Sequence, residues 1–364
     1  ELLDLVDVGL AMGRGGSLGY TDFVEMVSSA GEDAVRRGMP STLPAVAEFL
    51  TRWRDQNVGI LRLVVPGHEG KFAFRLMDPS VLSKRVFDQV HASVLMSGTL
   101  FPADMYADLL GIDLDRRLIR TYGTPFPKAN RLLLVQPELT TLYAKRSAAM
   151  HDRIARQIAA IVAVVPGNVA LFFPSYELLE EAHSRFFAFH VGKKILVERP
   201  EWTKAQRDGA IEALRVARAE GGAVLFAVQG GSLSEGVDYE GNVLTAVIVV
   251  GLPLSPPNVE VEALKEYYCR KFGFAKGYDY AYVFPAVNKV LQAAGRAIRS
   301  ERDRAAIILL EGRLLEPRYA RCLPPDFEPR PSKVPASEIR TFLEGSPRTG
   351  FSGDERAMKA PRLT

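Results

Sequence analysis

The 364-residue sequence contains only two cysteines, Cys269 and Cys322. That excludes a disulfide framework, and it excludes a four-cysteine zinc or iron–sulfur site built from this chain's own residues. Long hydrophobic runs are missing too. The longest, Ile158 to Pro174, is broken by Pro166-Gly167-Asn168 and is too short to span a bilayer. The opening Glu1-Leu2-Leu3-Asp4 is acidic and lacks the basic start of a signal peptide. Charge of one sign is scarce: 46 Lys and Arg against 43 Asp and Glu leave +3, which by itself names neither nucleic acid nor membrane as a partner. The five histidines show no metal-ligand pairing, and no Ser-His-Asp arrangement stands out. The expectation is a soluble intracellular protein with no metal ligands of its own.

With 47% hydrophobic and 24% charged residues, the chain can bury sizeable cores, and its length suits two or three domains. Up to about residue 75 it reads as helices joined by polar turns. Phe23–Val27 and Ala45–Leu50 carry helical spacing, and Gly13-Arg14-Gly15-Gly16-Ser17 reads as a turn. Thereafter short apolar runs alternate with amphipathic stretches. Strands are predicted at Ala92–Met96, Arg131–Val135, Val169–Phe173, Lys194–Val197, Ala223–Val228 and Thr245–Val250. Helices are predicted at Pro102–Leu110, Leu142–Val165, Tyr176–Phe187 and Lys204–Arg218. Continuous apolar strands separated by long helices imply an α/β fold, a parallel sheet with helices on both faces. Such sheets take ligands at the carboxyl ends of their strands. The loops after Met96, Phe173, Val228 and Val250, and the helix near Gln292, are therefore the places to look. Residues 324–364 are rich in Pro, Ser and charge and predict a flexible tail.

Four segments carry chemistry. In Gln292-Ala293-Ala294-Gly295-Arg296-Ala297-Ile298-Arg299, helical spacing puts an amide and two guanidiniums on one face. Forked, permanently charged donors of this kind match a triphosphate, and the plain alternative is a solvated basic face. Gln229 to Tyr239 follows an apolar strand with paired glycines, Gly230 and Gly231, that permit a nest of backbone N–H groups. Ser232, Ser234, Glu235 and Asp238 add polar groups, and an ordinary surface loop is the alternative. It is not a Walker A loop, since no Gly-Lys-Ser/Thr follows. Ser97-Gly98-Thr99 places hydroxyls after a predicted strand, where a helix cap is the plainer role. Phe173-Pro174-Ser175-Tyr176 sets a hydroxyl and an aromatic past a strand end, suited to a phosphate and a base or to core packing. Glu180-Glu181-Ala182-His183 is similar to a D-E-A-H magnesium motif but falls mid-helix, and is rejected.

In this order the segments resemble the C-terminal half of a superfamily 2 DNA helicase of the XPD family, with the DinG group next. The match runs from Asp78-Pro79-Ser80 to about Gly312. Met96–Leu100 resembles motif III, Phe172–Tyr176 motif IV, Gly231–Asp238 motif V and Gln292–Arg299 motif VI. Val249–Leu254 also fits the family. The resemblance implies the end of a helical arch-like insertion over 1–75 and the end of RecA-like motor domain 1 over 76–128. RecA-like motor domain 2 would then occupy 129–323. It implies ATP and Mg2+ as the nucleotide and its ion. Gln292, Arg296 and Arg299 would act on the γ-phosphate as catalytic residues; Gly98, Thr99, Glu235, Gly236 and Asp238 would bind ATP. Ser175, Tyr176, Ser232 and Ser234 would bind DNA.

The Walker A lysine, a true D-E-A-H and the family's four cluster cysteines are absent. The resemblance therefore implies the C-terminal part of a longer product, inactive as an ATPase alone. A 4Fe-4S cluster is expected only in the full-length protein. Expected partners are single-stranded or forked DNA, the N-terminal motor domain of the same polypeptide and repair proteins, with no membrane. Translocation would run 5′ to 3′, in the cytoplasm at the nucleoid of an archaeon or in a eukaryotic nucleus. The alternatives are a nucleic-acid-binding module that lost its motor and a DinG-like helicase without the cluster.

Overall fold

The computed structural model describes residues 19–54, 58–65, 70–237, 239 and 241–345. In chain order these form α1 (Tyr20–Arg36), α2 (Leu43–Arg54), β1 (Ile60–Val65), β2 (Lys71–Leu76), α3 (Ser80–Gln89), α4 (Ala103–Leu110) and β3 (Arg131–Val135). Next come α5 (Ala148–Val164), β4 (Asn168–Phe173), α6 (Tyr176–Phe186), β5 (Lys194–Val197), α7 (Lys204–Ala217), β6 (Ala223–Val228) and β7 (Leu244–Val250). The remainder is α8 (Val259–Phe272), α9 (Phe274–Tyr278), α10 (Phe284–Ala294), β8 (Ala305–Leu310), α11 (Pro317–Ala320), β9 (Arg330–Pro331) and α12 (Pro335–Glu344). The chain divides into two compact units. One comprises residues up to Arg120 with Ser255–Phe284, and the other Thr121–Leu254 with Pro285 onward.

The second unit is built on a seven-stranded parallel sheet in the order β5-β6-β4-β7-β8-β3-β9. All six residues of β4, β6 and β8 are buried, so both faces of the sheet are covered, as the uninterrupted apolar runs required. On one face Ile154, Ile158, Ile161 and Val162 of α5 and Leu179, Ala182 and Phe186 of α6 pack on Leu171, Phe173, Phe226 and Ile248. Asn168 starts β4 with its side chain fully bonded. It donates to the carbonyls of Leu214 and Val243 and accepts the Ala223 N–H, fixing the amino edge of the sheet. Helices start where local chemistry says: Ser147 caps α5, Ser175 caps α6, and Thr203 with Gln206 forms a capping box on α7.

The first unit pairs β1 and β2 as an antiparallel hairpin, with Ile60 opposite Leu76 and Val65 opposite Lys71. Trp53 of α2 is buried beside Phe49, Phe72 and Phe74. Asp78 ties this unit together. Its carboxylate accepts from Tyr267 Oη at 2.6 Å, Lys271 Nζ at 2.6 Å and Ser80 Oγ at 2.6 Å. Burial alone would raise its pKa; the bonds from Lys271, Ser80 and Tyr267 outweigh that and hold it below the usual range.

Three expectations are corrected. The stretch before residue 76 is not all helix, because Ile60–Val65 and Lys71–Leu76 alternate and bury Leu61 and Leu63 on one hairpin face. Ala92–Met96 forms no strand. No strand among the described residues lies beside it to complete a ladder, and Val94 and Met96 are exposed. The stretch after Pro324 is not loose as far as Gly345: β9 pairs with β3, and α12 packs Ile339 fully into the core. The predicted turn at Gly13–Ser17 and the last residues of the chain lie outside the described residues. No helix among the described residues is long and apolar enough to cross a membrane.

Candidate functional site

In the second unit the connections out of β4 and β7 lead toward opposite edges of the sheet, and it is at the carboxyl ends of strands at such a reversal that parallel sheets take ligands. Gln229, the first residue after β6, is buried there. Its Nε2 donates to the carbonyls of Val250 at 2.9 Å and of Phe172 and Gly251 at 3.3 Å each. One amide thus ties the ends of β4 and β7, while its Oε1 has no hydrogen-bond partner among the described residues.

The loop from Gln229 onward winds through consecutive tight turns. Gly230 takes φ 74° with the Lys289 stem packed over it, so a Cβ would sit 3.2 Å from Lys289 Cε. The Gly231 carbonyl accepts the N–H groups of Ser234 and Glu235 and the Ser234 hydroxyl. Leu233 is fully buried, and its carbonyl accepts the Tyr239 hydroxyl at 2.8 Å. Burial pushes the Tyr239 phenol well above its ordinary range.

Arg296 grips this loop, donating from Nε to the Ser234 carbonyl at 2.8 Å and from Nη1 to the Val237 carbonyl at 2.6 Å. The expectation that Gln292, Arg296 and Arg299 share a helix face is corrected. α10 ends at Ala294, and both arginines lie in the turn beyond it. That turn is pinned by buried Asp303, whose Oδ2 accepts the N–H groups of Arg299 and Ser300 at 2.8 Å. Gln292 is half-buried and the Arg299 side chain is exposed.

The other expected residues are distributed as follows. Ser232, Glu235 and Gly236 are exposed on the loop, with Gly236 at φ 75°. Ser234 is fully buried and bonded to Gly231, so its hydroxyl serves the loop and does not face solvent. Asp238 lies outside the described residues. Ser175 caps α6 by accepting the Leu178 N–H, and Tyr176 is half-buried against the core beside it. Burial raises the Tyr176 phenol, with Glu198 and Glu201 adding to the shift. Gly98 and Thr99 belong to the first unit, where the Thr99 N–H donates to Ser97 Oγ at 3.2 Å. Glu181 of the rejected motif bonds His151 and Arg185 within the helical layer.

Two carboxylates at the sheet's carboxyl edge are not among the expected site residues. Glu198 follows β5 and accepts the Val228 N–H at 2.8 Å. Burial pushes its carboxyl up, against the bonds from the Val228 and Leu233 N–H groups and the charge of Arg207. Glu311 follows β8 and is fully buried, gripped by Arg313 Nε and Nη2 at 2.8 Å each and by the Thr140 and Thr141 hydroxyls. The signal for both is an acidic residue directly after an apolar strand. Among the described residues no cluster of three or more His, Cys, Asp or Glu is arranged to hold a metal. The described side chains do not form a holder for the magnesium ion or the cluster that the resemblance implies.

A parallel sheet carrying a glycine loop at its carboxyl edge, locked by an arginine from the segment after α10, defines a RecA-like helicase motor domain. Residues 158–330 match the family described as the helicase C-terminal domain. ATP-dependent DNA helicase chl-1 of Caenorhabditis elegans is 31% identical over 261 residues, 67% of this chain and 31% of that protein. ATP-dependent DNA helicase XPD of Sulfolobus acidocaldarius is 26% identical over 263 residues, 69% of this chain and 43% of that protein. A solved XPD helicase superposes with TM-score 0.57 at 20% identity, covering 87% of this chain and 56% of that one, which shows the shared fold. The chain belongs to the XPD family of superfamily 2 helicases. It spans 31% to 38% of the length of the first three curated relatives it matches.

Proposed function

We propose that the chain is the C-terminal motor half of an ATP-dependent DNA helicase acting in DNA repair with 5′ to 3′ polarity. The single observation that carries this reading is the bond pair from Arg296 to Ser234 and Val237, which couples the loop after β6 to the turn after α10. A nucleotide felt by one is then transmitted to the other. Arg299, exposed on that turn, is the arginine finger, and Arg296 fixes the turn that presents it. A finger of this kind is worth about 10³ to 10⁵ in rate in comparable NTPases. Gln292, Glu235, Gly236 and Asp238 complete the nucleotide side. Ser175, Tyr176 and Ser232 track single-stranded DNA through backbone and stacking contacts, which makes binding weakly sequence-selective and salt-dependent. Catalysis requires the N-terminal motor half, which supplies the Walker lysine and the ligands of Mg2+.

The test is single-strand-stimulated ATP hydrolysis by this chain and by the complete helicase. Turnover by the complete protein with none from the chain is the expected result. Turnover by the chain alone overturns the division of labour. Salt-sensitive DNA binding without turnover by either replaces the motor with a binding module.

A further inference from the structure

We propose that Glu198 is a positioning residue that holds the loop after β6 from the sheet side, opposite the grip of Arg296. The inference rests on the helicase reading above. Glu198 sits one residue past β5, and its own N–H donates to the Phe226 carbonyl at 2.8 Å, extending the β5–β6 ladder. Its side chain is 3% exposed. Oε2 accepts the Val228 N–H at 2.8 Å, and the Leu233 backbone N–H lies close enough to favour the charged carboxylate. One buried carboxylate therefore bonds the last residue of β6 and faces the start of the loop beyond Gln229. A Cβ at Gly231 would sit 3.2 Å from Glu198 Oε1 and 3.0 Å from the Val228 carbonyl, so the glycine lets the loop close over the carboxylate.

The loop is thus held on two sides. Glu198 takes the Val228 N–H where the loop leaves β6, and Arg296 takes the Ser234 and Val237 carbonyls at its end. A buried acceptor bonded to a backbone donor and packed against Gly231 restricts the start of the loop, and losing it leaves that donor unsatisfied. The anchor holds the start of the loop, ahead of the nucleotide-side residues Glu235 and Gly236, so its loss is expected to act more on the step the loop transmits than on nucleotide affinity.

Two measurements test this. In the complete helicase, Glu198→Ala is expected to lower DNA-stimulated kcat about tenfold with KM for ATP within about twofold. Glu198→Gln keeps an acceptor oxygen of the same reach and is expected to restore at least about a third of the rate. In this chain by itself, hydrogen exchange at Val228 should accelerate at least about tenfold in Glu198→Ala. Unchanged exchange, or unchanged stimulation, overturns the proposal. So does an equal loss in both variants with a fallen Tm, which marks Glu198 as a fold residue only. If the unmodified complete protein shows no DNA-stimulated turnover while the exchange contrast persists, the helicase reading fails and the anchor stands.

Discussion

Arg296 Nε lies 2.8 Å from the carbonyl oxygen of Ser234, a residue 62 positions earlier in the chain. With the second bond from Nη1 to Val237, one guanidinium closes the loop after β6 onto the turn after α10. The planar fork suits this task, because its donors diverge toward two separate carbonyls.

Arg296→Ala removes both bonds. At about 1.5–3 kcal/mol for each bond to a charged group, and about 2–4 °C per kcal/mol in a domain of this size, Tm should fall by about 5 °C or more. Arg296→Lys should not rescue it, since an ammonium has no fork. Calorimetry of the three proteins decides, and a Tm unchanged in the alanine variant removes the clamp.

If Arg299 is the proposed finger on the γ-phosphate, Arg299→Ala in the complete helicase should abolish ATP turnover while single-strand affinity stays within about twofold. Paired ATPase and fluorescence-anisotropy titrations check it. Retained turnover would sink the finger assignment.

Glu311 is a buried carboxylate with a buried partner. Burial alone would raise its pKa, but the Arg313 fork and the Thr141 and Thr140 donors outweigh that and hold it below the carboxylate range. Its contribution to stability is therefore present above the unfolded carboxyl value and is lost as pH falls through the lower folded value. Glu311→Gln should destabilise by about 3–5 kcal/mol at neutral pH, because it strands the Arg313 charge. Urea unfolding at pH 7 and then at successively lower pH should show the gap between the two proteins narrowing. A gap that widens in acid contradicts the assignment.

Tyr176 is the first residue of α6, directly after its Ser175 cap, and packs in part on the core. Tyr176→Ala should weaken single-strand binding by about 1–3 kcal/mol if the ring stacks on a base, with a modest fall in Tm from lost packing. Tyr176→Phe keeps both ring functions and should bind as the parent does. Unchanged affinity in the alanine variant restricts Tyr176 to packing.

The sheet was largely legible in the sequence. Arg131–Val135, Lys194–Val197 and Ala223–Val228 are strands over the predicted residues; in Ala223–Val228 burial on both faces leaves an uninterrupted apolar run, while Lys194–Val197 is the half-buried edge strand with a short apolar run of its own. Tyr176–Phe186 begins where a serine precedes it, since an N-cap is a local bond. Ala305–Leu310 carries the same signal and goes unassigned above, so the loop after it, with Glu311, stayed out of view. Ala92–Met96 fails for the opposite reason. An apolar run becomes a strand only beside a partner, and its own composition does not say whether one is there.

The sequence by itself determined the parallel α/β class, most element bounds in the second unit and the four segments that carry the family resemblance. Those are set by apolar periodicity, caps and residue chemistry within a few positions. Only the tertiary structure decided what Arg296, Glu198 and Gln229 do. Their partners are backbone N–H and C=O groups, in the nearest case 21 residues away and in the farthest 62. Every residue offers the same backbone groups, so no side-chain pattern marks which of them a buried side chain will meet. That choice belongs to the way the strands are ordered in the sheet.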